Sequence, residues 1–584
     1  MKLKTLLCLI IAMACLICIV MEADGLTKEK RAILIYASRY GSTAQTSEWI
    51  AEGMKGLPRV VSTKEAGDLT SFDVVILGSP IYMEKLHVDM QTFLDARKEE
   101  LKGKEVIIFV VCSTPPPEAQ KYLDMFASEG GVTPVLMKAF GGWIKKDLLS
   151  PQDYKLLENY FKNINQPFED SDQTDKILCL QFGREILERI STKEKQEQIL
   201  AIKNAHIYPV TSSEIPSGVL LVKGNRIMAV GADVSIPAEA RVIDAQGKHV
   251  IPGIIESHSH MGQKLLWKGP VTGSDNNELS EPVNAHCRAI DGLDTSDVAF
   301  GTALEGGITS MNIITGSRSP NSGQAVVVKL RGGTAEEMFL AHGGMKFAIR
   351  ATERRRNFPK NIEEVGTLLR YQLKAAQDYM KAWEQYRSGE ITEAPKRDLK
   401  LEALSKVLTR EWIVGVHSST EKLMRIPVEL KKEFNLDLYI IHGFGVEDLA
   451  EELAELGIPV SFGPVFSGSN REHPWLEGPV KFVRLGGKLS FQEDHPDGPQ
   501  YYLRHSAALF VRKGLSKEDA LRALTINPAE LLRLKERIGS LEPGKDADFL
   551  ILSGPPLEWE SLVEKVFVEG KEVYNRNTRY NVFK

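Results

Sequence analysis

The chain has 584 residues, 43% of them hydrophobic and 26% charged, with 73 basic against 78 acidic side chains and a net charge of −5. That is too long for one hydrophobic core, so two or three domains are expected. Near-balanced charge with no long run of one sign argues against a nucleic-acid partner. Six cysteines without CxxC spacing argue against a disulfide scaffold or a zinc–thiolate site.

In chain order, the first feature is a leader. Lys2 and Lys4 precede an uncharged apolar run over 5–21. This is the pattern of a signal peptide or membrane anchor, assigned to 1–24, and it predicts an exported or membrane-anchored protein. Cys8, Cys15 and Cys18 belong to this leader, which leaves Cys112, Cys179 and Cys287 in the body.

A first domain is predicted over 30–192. The run at 31–36 is apolar and β-rich, as a buried parallel strand should be. A loop containing Ser38, Gly41, Ser42 and Thr43 follows, then an amphipathic helix over 44–54. Strand, hydroxyl- and glycine-containing loop, then helix N-terminus is an arrangement that presents backbone N–H groups and hydroxyls to a phosphate. Further strands at 73–78 and 105–112 lead into loops at 79–82 and 113–117, with Ser79, Pro80 and Tyr82 in the former. This is the doubly wound α/β pattern, with ligands bound beyond the carboxyl ends of the strands.

The segments Ser38-Arg-Tyr-Gly-Ser-Thr43, Gly78-Ser-Pro-Ile-Tyr82 and Phe140-Gly-Gly-Trp143 resemble the flavodoxin family, most of all its protoporphyrinogen-oxidase branch. The resemblance extends through a last helix at 176–190. It implies FMN, with the phosphate held by the first loop and Tyr82 and Trp143 as candidates to stack on the ring system. The loop has Tyr-Gly-Ser-Thr where the commoner form of that family has Thr-Gly-Asn-Thr.

A second domain is predicted over 198–584. Short β-rich segments at 198–250 and 538–584 bracket a long β/α alternation over 251–537. This predicts a (β/α)₈ TIM barrel with a small β-sandwich built from both ends of the domain. The chemistry lies at strand ends. One buried run ends in His258-Ser-His260, and residues two apart on a strand face the same side. Two more runs end in His417 and His442, and another in Asp494. Barrel strands share one carboxyl-terminal face, so these groups should converge on it. Imidazoles and a carboxylate suit Zn²⁺ or a similar divalent ion.

The stretches Ile251-Pro-Gly-Ile-Ile-Glu-Ser-His-Ser-His260, Leu524-Thr-Ile-Asn-Pro-Ala529 and Ile538-Gly-Ser-Leu-Glu-Pro-Gly-Lys-Asp-Ala-Asp548 resemble the amidohydrolase superfamily. Pro282-Val-Asn-Ala-His-Cys-Arg-Ala-Ile-Asp291 and Glu493-Asp-His-Pro496 point to its imidazolonepropionase-related branch. By that resemblance His258, His260 and Asp494 hold one metal, and His417 and His442 hold a second. A fourth-strand carboxylate, often a carbamylated lysine, bridges the two. Lys346 is the first candidate for it and Glu353 the second. Relatives carry Gly-Glu-Asn-Pro-Lys after that lysine, where this chain has Arg350-Ala-Thr-Glu-Arg, which leaves one metal or two open. His286, His342, His473, His495 and His505 receive no role.

The function expected is metal-dependent hydrolysis of a carbon–nitrogen bond in a small, non-peptide amide, with Asp494 carrying the proton from water to the leaving nitrogen. Segments 317–324 and 464–470 should shape the substrate. Three readings compete with it: an electron-transfer flavoprotein with a degenerate hydrolase domain, a non-catalytic binding protein, and a metallo-dipeptidase.

Overall fold

Apolar residues alternate across both faces of the first sheet. Ile33, Ile35, Val75, Leu77, Val106 and Ile108 pack into one core, and Ala32, Leu34, Val74, Ile76, Ile107 and Phe109 into another on the opposite side. A strand buried on both faces must read as continuous apolar sequence, which these runs do. The computed structural model in which these cores are seen describes residues 31–112, 116–163, 168–190, 198–263, 275–350, 357–466 and 476–583. The expected leader at 1–24, Glu353, His473, residues 113–115 and the tip of the 464–470 loop lie outside that set. Among the described residues no helix is long and apolar enough to cross a membrane.

The chain divides into two units, Met1–Gln196 and Glu197–Lys584. In the first, strands Arg59–Ser62, Ala32–Tyr36, Val74–Tyr82, Glu105–Cys112 and Leu136–Gly141 lie side by side in that order, all parallel. This is the 2-1-3-4-5 order of a doubly wound sheet. The helix Ser42–Gly53 starts directly beyond the first strand, and Lys176–Ile190 is the last helix of the unit.

Among the described residues the second unit holds two sheets. Its ends, from Ile199–Ile207 to Tyr580–Asn581, join into one nine-stranded sheet, the β-rich layer expected from both ends of the domain. That sheet folds over its own core, where Phe549 and Phe567 stack at 4.4 Å beside Ile202, Ile207 and Val222.

The other sheet is the barrel, of eight strands: Ile254–Ser259, Ile308–Ile313, Asn321–Lys329, Phe339–Ala348, Val414–Ser418, Leu438–His442, Val460–Phe462 and Leu489–Phe491. The third runs antiparallel to both of its neighbours. The residues joining it to the second strand, 314–320, contain no helix, and a parallel crossover needs about a dozen residues or more.

Lys329, at the end of that reversed strand, is fully buried and binds the nine-stranded sheet. Its Nζ lies 2.5 Å from Asp546, 3.0 Å from Asp548 and 3.2 Å from Glu569. Burial alone would push this ammonium down, but the three carboxylates hold it above its ordinary value.

Candidate functional site

Backbone register brings the barrel's carboxyl ends level. Ser418 pairs with His442, His442 with Phe462, and Phe462 with Phe491. The fifth strand thus delivers His417, the sixth ends on His442, and Asp494 follows the eighth by three residues. His258 Nε2 and His260 Nε2 lie 3.1 and 3.3 Å from Asp494 Oδ1. Asp494 Oδ2 is 3.9 Å from His442 Nε2, which in turn faces His417 Nδ1 at 2.9 Å. The ligand atoms of His258, His260 and Asp494 all lie within 4.8 Å of one another. His442 and Asp494 both take left-handed backbone conformations, with φ of 75° and 51°. Non-glycine residues are held there only where the surroundings over-determine them, commonly at functional sites.

The ring orientations are informative. His260 Nδ1 lies 2.6 Å from Ile314 O, and His442 Nδ1 lies 2.8 Å from Gly463 O. A carbonyl only accepts, so each Nδ1 carries the proton and each Nε2 is left with its lone pair turned to the centre. That is the way metal-bound histidines are usually oriented. Burial holds His258, His417 and His442 below the ordinary imidazole value and pushes His260 down to about 3. All four are therefore neutral, the form that ligates a metal.

Lys346 of the fourth strand completes the group. It is fully buried, and its charge is felt by all four histidines. Burial pushes it down to about 7, with Asp494 pulling the other way. Among the described residues, neither ring nitrogen of His258, nor Asp494 Oδ1, nor Lys346 Nζ has a hydrogen-bond partner. Buried polar atoms left unpaired are costly, and a divalent ion among neutral imidazoles and a carboxylate would satisfy His258 Nε2 and Asp494 Oδ1. The residues therefore fit a metal.

Sequence reading missed three residues here. Gln492 donates to Gly463 O and has its Nε2 3.1 Å from His442 Nδ1. Glu256 and Glu493 are buried next to the ligand-bearing positions, and burial raises both, Glu493 to about 8. Gln492 and Glu256 each sit two residues before a predicted ligand, which was the available signal. Of the unassigned histidines, His286 and His342 are exposed, while His495 and His505 are buried.

In the first unit, a cavity of about 320 Å³ opens beyond the strand ends, lined by Ser42, Thr43, Pro80, Tyr82 and Trp143 among others. Ser38, Gly41 and Ser79 are not among its lining residues. Ser38 Oγ accepts from the N–H groups of Gly41 and Ala44, which shapes the loop. Ser79 is buried, donating to Pro80 O and accepting from the His87 N–H. Gly41 takes the N-cap position of the helix at φ 92°, so the cap residue itself offers no side chain. Thr43 Oγ1 is buried and has no partner among the described residues. A helix N-terminus with an orphan hydroxyl, beside a cavity carrying aromatic rings, fits a flavin phosphate and ring system.

Sequence reading also missed Asp153, whose buried carboxylate accepts from Arg39 Nε at 2.7 Å, from the Tyr82 hydroxyl at 2.9 Å and from the Tyr40 hydroxyl. It ties the first loop to the second. The Arg39 guanidinium lies over the Tyr82 ring at 5.1 Å and the Lys145 ammonium over Trp143 at 4.1 Å.

Comparison with known proteins places both units. A flavodoxin domain model matches residues 33–166, and an amidohydrolase family model matches 492–573. The solved structure of an amidohydrolase from Thermotoga maritima is 32% identical, with a TM-score of 0.60; the match covers 65% of this chain and all of that one. Amidohydrolase tasK of Hapsidospora irregularis is 25% identical over 373 residues, which are 57% of this chain and 37% of that protein. The chain thus spans little more than a third of that relative. Imidazolonepropionase of Symbiobacterium thermophilum is 25% identical over 401 residues, 58% of this chain and 85% of its own length.

Proposed function

The chain belongs to the amidohydrolase family through its second unit and is a hydrolase of carbon–nitrogen bonds; from that premise we propose that it is a divalent-metal enzyme that opens a small, non-peptide amide, cyclic or acyclic. The observation that carries this is the outward anchoring of His260 and His442 through Nδ1, which turns both Nε2 atoms toward Asp494. His258, His260 and Asp494 would hold one ion, and His417 and His442 a second. Zinc best suits the donor set. The bound ion would supply Lewis acidity toward the scissile carbonyl and the attacking water.

Asp494 takes a proton from that water and returns it to the leaving nitrogen. Lys346, with its amine pushed down to about 7, is available in its neutral form near neutrality. A neutral amine adds CO₂ to form a carbamate and release a proton, which would give Lys346 a carboxylate able to help hold the metal. Relatedness to an imidazolonepropionase supports a cyclic amide as the first class to test.

In the first unit we propose FMN, its phosphate held by Ser42, Thr43 and the start of the helix, its ring system by Trp143 and Tyr82. Bound FMN would give the chain a redox centre. The leader, with Lys2 and Lys4 before its apolar run, supports export or membrane anchoring.

The test is a substrate panel of cyclic ureides, lactams and acyclic amides, followed by Asp494→Asn on whatever is cleaved. The variant keeps size and one oxygen but cannot take the proton. It should retain most of its metal and lose roughly a hundredfold or more in rate. Turnover within about tenfold of wild type would rule out Asp494 as the proton carrier.

A further inference from the structure

The barrel is hydrogen-bonded from its first strand round to its eighth, but among the described residues no backbone ladder joins the eighth back to the first. Two of the ligand positions, His258 and His260, lie on one side of that seam, and Asp494 lies on the other. Their spacing is therefore the part of the site that the sheet itself does not fix. A backbone bond from His260 N–H to His495 O, at 3.3 Å, crosses beyond the strand ends. Below it the seam is closed by side chains.

Glu256 is central to that closure. It is fully buried. Oε1 accepts the His258 N–H at 3.0 Å, and Oε2 accepts the Glu493 N–H at 3.0 Å. One carboxylate thus holds the N–H of His258 on the first strand and the N–H of Glu493, the residue before Asp494, just past the end of the eighth. Gln500, with its amide nitrogen turned toward Glu256, donates to Oε2 at 2.8 Å and accepts from the His495 N–H at 3.1 Å. In each of these contacts a Glu256 oxygen is the acceptor. Ser257 closes the same seam differently: its hydroxyl lies 2.7 Å from Ser461 Oγ and 3.2 Å from Phe491 O. It also lies 3.3 Å from Ser490 Oγ, so its contacts there are with the eighth strand itself and not with Glu493 beyond it.

We propose that Glu256 is a positioning residue, whose carboxylate clamps the peptides of His258 and Glu493 and so sets the distance between the first-strand imidazoles and Asp494 across the open seam. This rests on the reading of His258, His260 and Asp494 as metal ligands. An amide at this position keeps one acceptor but turns an NH₂ group toward a backbone N–H, so one of the two clamps must open. Residues that orient metal ligands in this way are typically worth about 10- to 100-fold in metal affinity.

The experiment uses the full-length chain, stripped with a chelator and titrated with Zn²⁺ against a chromophoric competitor. The visible spectrum of the Co²⁺-loaded protein is recorded in parallel, since it reports ligand geometry. Glu256→Gln should keep the wild-type circular dichroism, bind Zn²⁺ about tenfold or more weakly, and shift the Co²⁺ bands. Glu256→Asp, which keeps both acceptors on a shorter arm, should fall between the two. Ser257→Ala should lower Tm while leaving Zn²⁺ affinity within about twofold, because it opens the seam without freeing a ligand peptide. A Glu256→Gln protein with wild-type Zn²⁺ affinity and an unchanged Co²⁺ spectrum overturns the proposal. So does a Ser257→Ala loss as large as that of Glu256→Gln. If the Gln variant does not fold, Glu256→Asp is judged by the same criteria. A wild-type chain that takes up neither ion instead removes the metal reading itself, and the proposal with it.

Discussion

Lys346 offers a quantitative check on the interior of the barrel. It is fully buried, and burial pushes its amine down to about 7 against an ordinary value of 10.5. In metal-free protein the folded state then gives up this proton near pH 7, whereas the unfolded chain keeps it to above pH 10. Below pH 7 both states are protonated and the full penalty is present. Between pH 7 and 10 the unfolded state binds the extra proton, so stability must rise with pH. One proton corresponds to about 1.4 kcal/mol per pH unit, so between pH 7.5 and 9 the gain approaches about 2 kcal/mol. Lys346→Met keeps the apolar stem and removes the titration. Urea denaturation of chelator-treated wild type and variant at pH 7.5, 8.2 and 9, followed by circular dichroism, gives the difference in slope. The wild type should gain about 2 kcal/mol relative to the variant over that window. Stability curves that run parallel would show that Lys346 keeps its proton in the folded barrel, and would remove the argument that a neutral amine is available there.

Two further outcomes follow from particular contacts. Gly41→Ala should weaken FMN binding about tenfold or more in a fluorescence titration: at φ 92° a side chain costs about 1–3 kcal/mol, and the added Cβ would stand 3.3 Å from the Trp143 ring. Affinity within about twofold of wild type would refute that placement of the phosphate loop. Lys329→Met should destabilise the second unit by about 3–5 kcal/mol, because Asp546, Asp548 and Glu569 lose the ammonium buried among them. A loss in urea stability below about 1 kcal/mol would mean that Arg226 and Arg537, which pair with Asp546, and Arg331, which pairs with Glu569, already carry that charge balance.

Much of this molecule could be read locally. The apolar runs that become parallel strands, the histidines closing them and the His-x-His spacing depend only on neighbours in sequence, and the parallel first sheet and the barrel followed from them. The reversed third strand was harder. Residues 314–324 are rich in glycine, serine and asparagine and look like a mouth loop, yet Asn321–Lys329 is a strand with Gly323 inside it. The deciding signal, a connection too short for a crossover, shows only once both strand ends are known. Clamps between distant elements were not legible at all. Asp153 meets Arg39 across 114 residues and Glu256 meets Glu493 across 237. Nor does a sequence say that Lys346 is buried without a partner, although its strand is apolar on either side.

The central claim is that four neutral imidazoles and Asp494 form a divalent-metal centre. Elemental analysis of full-length protein purified without chelators measures it directly. The protein should carry one or two equivalents of a divalent ion, zinc foremost, per chain, and the His258→Ala/His260→Ala double variant should lose the ion shared with Asp494. Wild-type protein that is folded but carries no divalent ion, and takes none up when Zn²⁺ is supplied, would contradict it.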